Sequence, residues 1–220
     1  FMSPYATVTT EPGFLPARDL GLAMDSMVYI VPSMSNYVGG DIVSGLLTLD
    51  LQDNEEPAMF FDIGTNGELV IGNRDWLLAG AGAAGPALEG YISKFGMRAE
   101  PGAVDSVKIE DGSLKITTIA DAAPRGICGS GIIELLAQMR KQGWMDMAGN
   151  LDPASSGSII FLPDEQEYGI VYAHAADGAL LYFSQTDIRQ YLDTKAAAYT
   201  MIDCLLESAG LEASQLRRVY

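Results

Sequence analysis

Apolar and polar residues alternate in short bursts along this chain, and the bursts are separated by glycine, proline, aspartate and asparagine. Such spacing predicts strands joined by tight turns. Residues 59–73, MFFDIGTNGELVIGN, are the clearest case: an apolar run reaches Asp62, small and polar residues turn the chain at 64–67, and a second apolar run follows. A β-hairpin is expected here. Further strands are predicted over 27–31, 75–79, 103–109, 113–119, 158–162 and 168–173, with a turn at Asp111 and Gly112. Helical periodicity is clearest over 187–209, where Ile188, Leu192, Ala196, Tyr199, Ile202, Leu205 and Leu206 recur at helical spacing. Ser184 or Thr186 is its expected cap and Gly210 its stop. Shorter helices are expected over 41–49, over 86–94 and directly after Gly131. Hairpins interleaved with helices predict a mixed α/β fold.

Two glycine-rich stretches carry candidate chemistry. In the 64–67 turn, Gly64 and Gly67 permit backbone conformations closed to other residues and leave no side chain between the turn amides and a ligand. Thr65 and Asn66 add a hydroxyl and an amide. A turn of this kind can wrap its N–H groups around phosphate oxygens, while Asp62 at the strand end suits a hydrated magnesium ion. The alternative is a plain hairpin whose Asp and Asn cap the turn.

The second stretch, PRGICGSGIIELL at 124–136, places Gly129, Ser130 and Gly131 at the start of an amphipathic helix, a ready anion site. Its alternative is a Ser130 cap, with glycines that let the helix pack closely on a sheet. GAGAAG at 80–85 matches the dinucleotide fingerprint literally, with Glu100 downstream, yet 94–102 has no apolar run to supply the second strand. A glycine turn leading into a helix at Pro86 is expected instead. Asp41 sits in the first turn of the 41–49 helix, where negative charge suits the dipole. Cys128 reads as a packing residue, and His174, the single histidine, as structural or solvated.

DIGTNGE resembles the phosphate-binding hairpin of the actin-like ATPase superfamily. More narrowly, DIGTNGELVIGN, AAGPALEG, GMRAEPGAV and PRGICGSGIIELL, in that order, resemble the ATPase part of the reductive activators of corrinoid proteins, from about residue 15 to the C-terminus. The resemblance implies an actin-like, ribonuclease-H-like α/β fold, present in part, with ATP and Mg²⁺ as cofactors. In that family ATP use is coupled to reduction of an inactivated Co(II) corrinoid. By the same resemblance Asp62 would act through Mg²⁺, and Asp41, within YVGGDI, or Glu68 would position the attacking water. Gly64, Thr65, Asn66 and Gly67 would cradle phosphates, as would Gly129, Ser130 and Gly131. Gly85 and Glu89 would belong to a cleft loop, although Glu89 reads equally as an exposed helix residue. A corrinoid protein is the implied partner and a homodimer the implied assembly. An iron–sulfur cluster is expected only in an N-terminal region that these residues do not include.

Composition narrows the picture. A formal net charge of -16 argues against nucleic acid or an anionic membrane as partner. Two cysteines are too few for a disulfide framework or an all-cysteine cluster, and no apolar run reaches membrane-spanning length. A cytoplasmic setting is expected. Phe1 is no initiator, and residues 216–220 read as the start of a strand, so a fragment is expected, inactive alone, with 1–56 a connecting subdomain and 57–220 the core of an actin-like lobe. Two other functions fit the same residues: a docking or dimerisation module without nucleotide, and a small-molecule acyl or sugar kinase.

Overall fold

A computed structural model describes residues 11–34, 37–64, 66–82 and 92–220. They fall into two compact units, residues 1–83 with 198–220 and residues 84–197.

The first unit opens with an antiparallel hairpin of β1 (Gly13–Pro16) and β2 (Met27–Ile30), followed by α1 (Gly40–Leu47). The predicted 59–73 hairpin is present as β3 (Ala58–Ile63) and β4 (Gly67–Gly72), with Asp62 opposite Glu68 and Ile63 opposite Gly67. β5 (Leu77–Gly82) extends the meander on one side, and β12 (Arg218–Val219) adds in parallel to β3 on the other. Period-two alternation sorts the strand residues onto two faces. Met59, Phe61, Leu69 and Ile71 meet Met201, Ile202, Leu205 and Leu206 of α3 (Gln185–Ala209), whereas Phe60, Val70 and Ala79 meet Val38 and, on α1, Ile42 and Leu46. Each fully buried aliphatic side chain contributes about 1.5–3 kcal/mol, so the two layers hold the hairpin rigidly from both sides.

β5 differs from the expected element. It continues through Gly80 to Gly82, so these glycines are strand residues rather than a turn into a helix. Residues 92–95 form turns where the end of the 86–94 helix was expected; the rest of that segment lies outside the described residues.

In the second unit, β6 (Ala103–Glu110) pairs antiparallel with β7 (Ser113–Thr118) through the predicted turn, where Asp111 and Gly112 both take positive φ. β8 (Gly126–Ile127) adds in parallel to β6 and leads into α2 (Gly129–Gln142). Beyond β8 the open edge of β6 is covered from α2: Glu134 accepts from Ser106 Oγ at 2.7 Å and from the Val107 amide at 2.8 Å. A second sheet has β10 (Glu167–His174) between β9 (Ile159–Leu162) and β11 (Leu180–Ser184), the last a strand that the apolar pattern did not separate from the helix behind it. One core joins α2, both sheets and the first turns of α3 through Ile127, Ile132, Met139, Ile170, Phe183 and Ile188.

Ser184, not Thr186, caps α3. The Asp187 amide donates to Ser184 Oγ at 3.1 Å and the Ser184 amide donates to Asp187 Oδ2 at 2.9 Å, a reciprocal box at the positive end of the helix. Thr186 instead donates to Glu167.

Candidate functional site

The strand alternation that sends Phe60 and Val70 toward α1 also sends Asp62 and Glu68 to that side, two residues nearer the turn. As directly opposed residues of an antiparallel pair, their carboxylates are neighbours. α1 supplies a third carboxylate, Asp41, whose Oδ1 accepts the Ile42 amide at 2.9 Å in the first helical turn. Burial, and after it the charges of Asp62 and Asp41, push the Glu68 carboxyl up from its ordinary value, while a hydrogen bond from the Asn66 side chain pulls the other way. Asp41, Asn66, Asp62 and Glu68, predicted separately, are therefore one electrostatic cluster.

This donor set fits a divalent cation, because the named charged neighbours of the half-buried Glu68 are themselves acidic. Among the described residues no group of three or more His, Cys, Asp and Glu forms a protein-only metal cage. Mg²⁺ requires none: it is ordinarily held by one or two carboxylates, with water and phosphate oxygens completing its shell.

The turn beside the cluster is built differently from expectation. Neither Gly64 nor Gly67 takes a positive φ, so neither is there for a left-handed backbone. The Gly64 amide donates to the Asn66 carbonyl at 3.0 Å and is used inside the turn. Gly67 is buried, and a Cβ on it would stand 3.1 Å from the Phe61 ring and 3.2 Å from Met201 Cε. A Cβ on Gly64 would meet only the Asn66 carbonyl oxygen, at 3.7 Å, which is ordinary contact. Thr65, Gly85 and Glu89 lie outside the described residues.

The second glycine-rich segment belongs to the other unit. Cys128 precedes the first turn of α2, and no side chain caps that helix, so the Ser130 cap of the alternative reading is absent. Ser130 Oγ lies 3.4 Å from the sulfur of buried Cys128, whose thiol donates to the Val104 carbonyl at 3.4 Å. A Cβ on Gly131 would come within 2.3 Å of that same carbonyl oxygen, so the close seat of α2 on β6 demands glycine there. Helix geometry leaves the first amides, those of Gly129, Ser130 and Gly131, without intrahelical acceptors and at the positive end of the dipole. His174 is exposed at the end of β10.

The helical pattern of 187–209 includes Leu205 but passes over Met201; the contacts of Met201 with the back of the hairpin could have been sought in the glycines at 67, 80 and 82, which thin the opposing strands.

Comparison with known proteins shows the family and the fold. The model for the C-terminal domain of RACo, the ASKHA domain, matches residues 56–220, and the model for the RACo middle region matches residues 1–54. The corrinoid activation enzyme RamQ of Eubacterium limosum is 32% identical over 201 residues, which cover 87% of this chain and 34% of RamQ. The [Co(II) methylated amine-specific corrinoid protein] reductase of Methanosarcina barkeri is 27% identical over 158 residues, 62% of this chain and 29% of that protein. Among solved structures, a reductive activator for corrinoid,iron-sulfur protein superposes with a TM-score of 0.88 at 35% identity, over 99% of this chain and 36% of that one. The chain thus spans about a third of the length of these relatives. With the match extending over most of its residues, the chain belongs to the RACo family and carries that family's actin-like ASKHA domain, an α/β fold of mixed sheets and flanking helices.

Proposed function

We propose that this chain is an ATP-binding part of a protein that uses ATP to drive reductive reactivation of a Co(II) corrinoid protein. The observation that carries the reading is the cluster of Asp41, Asp62 and Glu68 beside the 64–66 turn, in a domain related to corrinoid activators. Bound Mg²⁺ supplies charge neutralisation of the phosphates. Asp62, at the end of β3, is the residue to hold it, and Asp41 or Glu68 the one to orient the attacking water. Gly64 is compatible with the reading, since a Cβ there would meet only the Asn66 carbonyl oxygen among the described residues and the turn stays open to a ligand. Asn66 holds Glu68 by its side chain, and Thr65, outside the described residues, is read with Gly67 as a further phosphate contact. Gly129, Ser130 and Gly131 are read as an anion-binding element of their own unit, and Gly85 and Glu89, outside the described residues, as cleft-loop residues by family resemblance. Phosphoryl transfer needs mainly positioning and neutralised charge, which these parts supply.

Residues 1–56 are read as a connecting subdomain, which the grouping of 1–83 with 198–220 supports. The partner proposed is a corrinoid protein, the assembly a homodimer and the setting the cytoplasm, with any iron–sulfur cluster held outside these residues. No helix among the described residues is long and apolar enough to cross a membrane. A docking role is a second reading, favoured by the β1–β2 hairpin, where Phe14, Met24, Met27 and Tyr29 are each about half or more exposed.

The test is calorimetric titration of Mg-ATP into the full-length protein and its Asp62→Asn variant. Binding by the wild type, weakened about 100-fold in the variant, is expected from loss of a metal-holding carboxylate. No binding by the wild type would overturn the nucleotide reading and leave the docking role.

A further inference from the structure

The face of the hairpin turned away from the carboxylates is seated on α3 through glycine. Gly67 lies directly opposite Gly82 across β4 and β5, and Gly80 lies opposite Leu69, so the three share the face that α3 covers. A Cβ on Gly82 would stand 2.9 Å from Met201 Sδ, and one on Gly80 would stand 2.7 Å from Leu205 Cδ1. Both separations are shorter than real Cβ contacts, so the Met201 and Leu205 side chains take their present places because these strands lack side chains there. Met201 also reaches Gly67, with its Cε 3.2 Å from where a Cβ would be. One flexible side chain is thus wedged against both strands at the point where β4 leaves the turn.

Gly67 sits between Asn66 and Glu68, two members of the carboxylate cluster. Close packing couples neighbouring groups, so the place of the Met201 side chain bears on where Gly67 stands.

We propose that Met201 is a positioning residue for the phosphate turn: wedged between Gly67 and Gly82, it sets where Asn66 and Glu68 stand and ties the turn to α3, so that ligand at the turn is felt along that helix. The ligand in this statement rests on the nucleotide reading; the mechanical contact does not. Methionine suits the place, since an unbranched thioether fills an irregular notch and follows small shifts.

The test uses Met201→Ala, which empties the notch, and Met201→Leu, which refills it, with two readouts. Amide hydrogen exchange at residues 66–68 is compared with exchange at Val70 and Ile71 further along β4, and Mg-ATP affinity is measured by titration. In Met201→Ala, exchange at 66–68 should rise about tenfold more than at 70–71, with about tenfold weaker Mg-ATP binding. Met201→Leu should return both to within about twofold of wild type. A uniform rise in exchange along β4, or affinity unchanged in Met201→Ala, would overturn the positioning role, because lost stability alone has no reason to single out the turn. Failure of the wild type to bind Mg-ATP strikes the nucleotide reading instead, and the exchange pattern then decides the mechanical claim unaided.

Discussion

The two faces of the β3–β4 hairpin are made by the same residues in alternation, yet they do opposite things. Toward α3 the strands present Met59, Phe61, Leu69 and Ile71, with glycine at 67, and the face is packed against Met201, Leu205 and Leu206. Toward α1 the apolar pair Phe60 and Val70 gives way, two residues nearer the turn, to Asp62 and Glu68. One face lowers the free energy of folding; the other holds like charges together at a cost that a bound cation would relieve. Stability and chemistry are separated here by a period of two residues.

The packed face is the more sensitive of the two to truncation. Leu69 is wholly buried, and Leu69→Ala should cost about 3 kcal/mol, read as a lower midpoint in urea unfolding. An effect below about 1 kcal/mol would show that α3 relaxes into the gap and that the layer is softer than its packing suggests.

On the charged face the effect should be smaller and of opposite sign. Because the folded protein raises the Glu68 carboxyl above its ordinary value, it binds that proton more firmly than the unfolded chain does. The stability tied to this group is therefore present below the ordinary carboxylate range and lost as pH rises through the raised value. Glu68→Gln should remove that loss and raise the melting temperature by about a degree or two at neutral pH without Mg²⁺. Thermal melts across pH check this, and a lowered melting temperature at neutral pH would show that the Asn66 hydrogen bond to Glu68 outweighs the repulsion.

Glu134 provides the control with reversed pH dependence. Its hydrogen bonds from Ser106 and the Val107 amide hold its carboxyl below the ordinary value, so its contribution is present above that value and fades as pH falls. Glu134→Ala should cost about 1 kcal/mol or less near pH 7 and progressively less in acid, since this side chain is close to solvent.

Much of this was readable in residue order. The 59–73 hairpin, the Asp111–Gly112 turn, α2 and the long helix all follow from local patterns whose period and turn residues agree with the final fold. The misses have local causes too. β11 was hidden because LLYFS runs straight into α3 with no turn residue between them, and β1 because a four-residue strand beside prolines carries too little alternation to register. Gly80 and Gly82 looked like a turn because glycine is ambiguous: it serves a left-handed backbone or a close approach, and only the neighbour decides which.

The candidate site divides in the same way. Asp62, the turn and Glu68 are adjacent in sequence, and their pairing across the hairpin follows from strand geometry alone. Asp41 joins them only because α1 lies on that face of the sheet, and Gly67 and Gly82 become a seat for Met201 only because α3 returns to the other face from far along the chain. Local sequence determines which residues can turn, alternate and carry charge, because those properties belong to a few neighbouring bonds. Which charges share a low-dielectric surface, and which glycines are spaces rather than hinges, is decided by tertiary packing, because both depend on atoms that the chain brings near from a distance.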